Sequence, residues 1–206
     1  MSTLQKSLIS QNILDEALSY EEYSELTERL YQEGRTTNDD NSESMLHYTM
    51  LNMQRTARWN KRGKLNDSLV EVLETLPNKM IWLVITEGWC GDASQVLPFI
   101  QKMAESTEQI ELKLILRDQY PEVMEHFLTK GTRAIPKLVM LDANSLDVLG
   151  VWGPRPAIVH DDHIAKLRDP NFDNKKASEE LHIWYARDKG RAVQDELEAM
   201  LKSIVV

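Results

Sequence analysis

Cysteine is almost missing from this chain. Cys90 is the only one in 206 residues, so no disulfide can form within one molecule, and a reducing cytoplasm is the expected compartment. Long apolar runs are missing too. No stretch approaches the ~18 consecutive apolar residues of a membrane helix, so no membrane partner is expected. The N-terminal segment "MSTLQKSLISQNILDEALSY" has no apolar core followed by a small-residue cleavage site, and no export signal is read from it. Positive charge is in deficit: 24 Lys and Arg against 33 Asp and Glu leave a formal net charge of -9. A general nucleic-acid binder needs a basic footprint, so no nucleic-acid partner is expected. Internal repeats and low-complexity tracts are also absent.

What is present begins with helical signals. Ser19 and Glu22 form an S-x-x-E capping box ahead of a helix over 20–33 that Gly34 ends. After the polar loop 35–41, a second helix is expected over 42–62. Arg55, Arg58 and Arg62 share one of its faces, a solvated face in most proteins. Asn66 or Asp67 can cap a third helix over 68–76, which Pro77 stops. The character then changes. "MIWLVIT" (80–86) is continuously apolar and β-branched, as a strand buried on both faces requires. A helix over 93–106, a strand over 110–118 and a helix over 121–130 follow. Segments 137–142 and 146–152 read as a β-hairpin, and helices over 157–168 and 176–204 close the chain. This order predicts an α/β protein with a four-stranded mixed sheet flanked by helices.

The chemistry gathers at "ITEGWCGDASQVLPFI" (85–100). Cys90 falls in a loop between a buried strand and a helix N-terminus. Unpaired backbone N–H groups and the helix dipole favour a thiolate there. Free cysteines usually just pack in cores, but "EGWCGD" is too polar and glycine-rich for a packing site. Asp92 works against the dipole, because a fixed negative charge raises a nearby thiol pKa. "HDDH" (160–163) hints at metal ligands, yet His160 and His163 share one helix face and no further cluster converges on them. No metal or cofactor is expected. Trp184 and Tyr185 are expected to pack the last helix onto the core.

Taken together, these residues resemble the thioredoxin superfamily. Trp89, Cys90 and Gly91 match its Trp-Cys-Gly-x-Cys motif, and Pro98 matches the proline of its active-site helix. Ile135-Pro136 matches its cis-proline pair, and Gly153 matches a glycine that closes its last strand. The WCGDA form is similar to a bacterial thioredoxin-like branch with the same loop. The resemblance covers 66–168 and implies a thioredoxin-like domain there. It leaves 1–65 as an N-terminal helical extension and 169–206 as a C-terminal helix packed on the domain.

The resemblance also exposes departures. Ala93 stands where the resolving cysteine belongs, and Val84 where the family buries a proton-relay acid. What survives is the geometry of one nucleophile; dithiol exchange is lost. The resemblance implies Cys90 as the catalytic thiol in a loop of Trp89, Gly91, Asp92 and Ala93. The substrate groove would be formed by Ile135, Pro136, Arg133, Trp152, Gly153 and Arg155. The two arginines would help to stabilise thiolate and attract carboxylates. The expected activity is thiol–disulfide exchange with a low-molecular-weight thiol or a cysteine-containing protein. The alternative is a non-catalytic binding module that keeps the groove. A third option resembles monothiol glutaredoxins, with an iron–sulfur cluster held between two subunits.

Overall fold

The computed structural model describes residues 9–205. Residues 1–8, within the segment read above for an export signal, lie outside the described residues, as does Val206. The elements in chain order are α1 (Gln11–Glu16), α2 (Tyr20–Gln32), α3 (Glu43–Arg62), α4 (Asp67–Glu74), β1 (Met80–Thr86), α5 (Gly91–Glu105), β2 (Ile110–Leu116), α6 (Pro121–Glu125), β3 (Lys137–Asp142), β4 (Val148–Trp152), α7 (Ala157–Arg168), α8 (Asn174–Asp188) and α9 (Arg191–Val205).

The strands form one mixed sheet in the order β2-β1-β3-β4. β1 pairs parallel with β2 and antiparallel with β3, so Trp82 lies opposite Leu112 on one side and Met140 on the other. All seven residues of β1 are buried, which is why its sequence is apolar throughout rather than alternating. β3 pairs antiparallel with β4. The outer edge of β2 is met by one residue of the segment between α1 and α2. Leu18 exchanges both of its backbone hydrogen bonds with Leu114, each at 2.8 Å.

Ser19 forms the expected capping box: its Oγ accepts from Glu22 N at 3.2 Å, and its own N–H donates to the Glu22 carboxylate at 2.7 Å. Three expectations need correction. The helix expected over 121–130 stops at Glu125, because Thr129 and Thr132 trade backbone hydrogen bonds around a turn with Lys130 and Gly131 at positive φ. The single helix expected over 176–204 is two helices, broken where Lys189 and Gly190 adopt φ of 59° and 78°. There the Asp188 carboxylate accepts from Ala192 N and starts α9. The helix expected from 93 begins at Gly91, because Cys90 itself is the N-cap. α1 had no counterpart in the sequence reading.

The helices outside the sheet domain are stitched to it. On α9, Gln194 accepts from Asn66 N at 2.7 Å and donates to Lys64 O at 3.2 Å. Trp152 Nε1 donates to Glu196, also on α9, at 2.6 Å. α3 packs along α5, where Trp59 and Phe99 rings lie 5.4 Å apart. Among the described residues, no helix is long and apolar enough to cross a membrane.

Candidate functional site: a single thiol at the start of α5

β1 ends at Thr86, and residues 87–90 turn the chain into α5. Cys90 N donates to Glu87 O at 3.1 Å, which closes the turn. As N-cap, the Cys90 sulfur accepts from Ala93 N at 3.5 Å. The thiol in turn donates to the Ile135 carbonyl at 3.2 Å. The Ile135–Pro136 bond is cis, as is Gly153–Pro154. The end of β4 comes close here: a Cβ on Gly153, at φ 108°, would lie 2.3 Å from Pro136 O, so only glycine fits.

The thiol is 6% exposed. Its pKa is pushed up to about 12, by burial first and by the Asp92 charge second; hydrogen bonds from the Ala93 and Asp92 backbone and the Arg155 charge pull it down by less. Of the opposed influences expected at this position, the helix N-terminus that favours thiolate is outweighed by burial and by Asp92. Two backbone donors do not compensate for removal of the sulfur from water.

Asp92 is itself buried. It accepts from Arg155 Nε at 3.0 and 3.1 Å, from Arg155 Nη2 at 2.5 Å and from the Tyr185 hydroxyl at 2.6 Å. Arg155 is therefore engaged with Asp92 ahead of the thiol, although its Nη1 is buried without a hydrogen-bond partner. Arg133 pairs with Glu125 at 2.5 Å and is about half exposed. Both arginines, together with Trp89, Cys90, Ala134 and Ile135, line a shallow cleft of about 280 Å³. Trp152 does not line it; its indole points to Glu196.

Several residues around the site were not singled out by the sequence. Arg117 lines the same cleft and sits 4.8 Å from the Trp89 ring centroid. Glu87 is fully buried three residues before Cys90. Its carboxylate accepts from the Thr37 hydroxyl and from Asp118 N at 3.0 Å. Burial is the main cause that raises its pKa to about 7. From α3, Asn52 donates to Gly88 O at 3.3 Å and accepts from Arg55 at 2.8 Å. Gln95 on α5 accepts from Trp59 Nε1 at 2.6 Å and donates to His182 Nδ1 on α8 at 3.0 Å. Burial holds His182 neutral, with its pKa lowered to about 4. The Glu-Gly ahead of Trp89 was the one available signal, since a carboxylate after a buried strand needs partners. The contacts from α3 and α8 are long-range and leave no local pattern. His160 and His163 lie on α7, and among the described residues no group of three or more His, Cys, Asp or Glu could hold a metal ion.

A β-α-β sheet of order β2-β1-β3-β4, a thiol capping the helix after β1 and a cis-proline opposite it define a thioredoxin-like protein with one cysteine. The family comparison agrees. The thioredoxin family model matches residues 38–168, and the chain belongs to that family. The match reaches back to include α3. Two solved structures share the fold. One is a protein of unknown function from Pseudomonas aeruginosa, with 19% identity, TM-score 0.55, and coverage of 90% of this chain and 98% of that one. The other is an HIV epitope-scaffold, with 18% identity, TM-score 0.52, and coverage of 90% and 99%. No curated protein matches the chain.

Proposed function

We propose that this is a single-thiol exchange protein, acting through Cys90 on a low-molecular-weight disulfide or the cysteine of a partner protein in a bacterial cytoplasm. The observation that carries this reading is the position of the sulfur. It caps α5, lies on the Ile135 carbonyl and lines the cleft with Trp89, Arg117, Arg133 and Arg155. Cys90 loses its proton to solvent, and the thiolate attacks one sulfur of the disulfide. The Cys90–S bond forms, the substrate S–S bond breaks, and the departing thiolate takes up a proton. With Ala93 in place of a resolving cysteine, a second thiol from outside must release the adduct. Arg117 and the half-exposed Arg133 favour carboxylates of a partner protein docked in this cleft. Ile135 forms part of its wall, while Pro136 stands behind it, closely approached by Gly153.

A second reading has its own support. A buried thiol with a pKa pushed up to about 12 is ionised to about one part in 10⁵ at neutral pH. That favours a binding module in which the groove, and not turnover, is the function. The test is mixed-disulfide formation between the folded protein and 2-hydroxyethyl disulfide, followed by mass spectrometry. The rate should rise about tenfold per pH unit between about pH 7 and about pH 10. No adduct at any pH without denaturant would overturn exchange and leave the binding module.

A further inference from the structure

Cys90 forms part of two clefts. One is the arginine-lined cleft described above. The other lies between α2 and α3, and Gly88, Cys90 and Ser94 of the thiol loop line it as well. Its volume is about 190 Å³, and a cavity of ~150 Å³ takes a benzene-sized guest. Tyr20 and Tyr23 from α2 and Asn52 and Thr56 from α3 supply aromatic, amide and hydroxyl groups, while Glu28 is the one charged residue among the described residues that line it. Among the described residues, no lysine or arginine lines it. Two cations touch residues of its wall without lining it: Arg55 donates to Asn52 Oδ1 and Lys102 to the Asn60 carbonyl, and Arg55 lines a separate cleft with His182. The two clefts that share Cys90 therefore differ in the charge of their described lining residues: mainly arginine on the Ile135 side, one carboxylate between the helices.

We infer that the α2–α3 cleft admits a small cationic disulfide of the aminothiol class to Cys90, and that the N-terminal helices provide this selectivity. The inference rests on the exchange reading and names its substrate. Aromatic rings and a carboxylate attract an ammonium group, and the net charge of -9 draws cations toward the molecule. Arg155, the guanidinium whose charge acts on the thiol, is held by Asp92, so it opposes an incoming ammonium less than a free arginine would. An ammonium beside the thiol favours the thiolate at the moment of attack. The Cys90 thiolate bonds to one sulfur of the substrate, its S–S bond breaks, and one aminothiol leaves with a proton.

The experiment compares three disulfides at neutral pH: cystamine (cationic), 2-hydroxyethyl disulfide (neutral) and glutathione disulfide (anionic). Each rate of adduct formation on Cys90 is divided by that disulfide's rate with N-acetylcysteine, which removes intrinsic reactivity. Cystamine should lead and glutathione disulfide should trail. Glu28→Gln should cut the cystamine rate about fivefold and leave the neutral disulfide unchanged. Ala57→Phe, which fills the cleft, should slow both small disulfides. Equal normalised rates, or a cystamine rate unaffected by both substitutions, would overturn the inference while exchange stands. If no disulfide reacts, the exchange reading fails. Cleft selectivity is then read from n-butylamine added to Cys90→Ser. Amide NMR shifts at Tyr23, Asn52 and Thr56 that vanish in Glu28→Gln would support a cation site, and their absence would overturn it.

Discussion

Asp92 holds Arg155 and Tyr185 within hydrogen-bond distance while raising the pKa of the neighbouring thiol. The same carboxylate that braces the loop therefore suppresses its nucleophile. Asp92→Asn removes the negative charge and leaves Arg155 beside the sulfur. Both changes favour thiolate, so iodoacetamide alkylation at fixed pH should speed up tenfold or more. Stability should fall by about 3 kcal/mol, because a buried guanidinium loses its counter-ion; urea denaturation measures this. Glu87 offers a pH signature of a different kind. Its folded pKa of about 7 lies above the ordinary carboxylate value. The folded state then binds the extra proton, and the stability it brings is present below the unfolded pKa and lost as pH rises through about 7. His182, lowered to about 4, acts in the opposite direction, with stability lost as pH falls toward 4. The two partly cancel in the wild type, so the variant must be compared with it. Glu87→Gln should gain about 2.5 kcal/mol relative to the wild type on going from pH 5 to pH 8. A gap between the two that stays constant with pH would mean that Glu87 is ionised throughout.

Elements were legible where their signal was local. The capping box of Ser19 and Glu22, the apolar run of β1 and the hairpin strands are all written in neighbouring residues, and so is the Trp89-Cys90-Gly91 loop. The break between α8 and α9 was not, because the helix periodicity runs on through Lys189 and Gly190. The structure gives the reason for the glycine: a Cβ on Gly190 would lie 2.3 Å from the Phe99 ring, which is fully buried on α5. The turn is needed so that α5 and the end of α8 can touch. Gly190→Ala must pay for a left-handed alanine and for overpacking against Phe99. A loss of about 3 kcal/mol is expected in thermal or urea unfolding. A neutral substitution would mean that the turn relaxes away from Phe99. The helix expected over 121–130 is shorter for the opposite reason: Gly131, just past its expected end, belongs to a separate turn. In the site, the family's residues could be read, but the partners that decide the thiol's state could not. Tyr185, His182 and Asn52 reach α5 and its loop from helices distant in sequence.

Across the whole molecule, the helices before and after the sheet share buried and part-buried polar contacts with the elements around the thiol and with one another. Trp59 meets Gln95, Tyr185 meets Asp92, and Gln194 meets the start of α4. Neither end can peel off without exposing these groups, so the molecule should unfold as one unit. Urea curves followed by far-UV circular dichroism, which weights the helices, and by tryptophan fluorescence should coincide. A separate early helical transition would show that the extensions fold independently. The Leu18–Leu114 pairing has a consequence of another sort. β2 is the outermost strand on its side of the sheet, and an outermost strand offers its free backbone to any passing chain. Leu18 fills that vacancy at one point, with two hydrogen bonds from the molecule's own backbone. What the segment before α2 secures is colloidal: a concentrated solution in which copies of this protein have less reason to stick to each other.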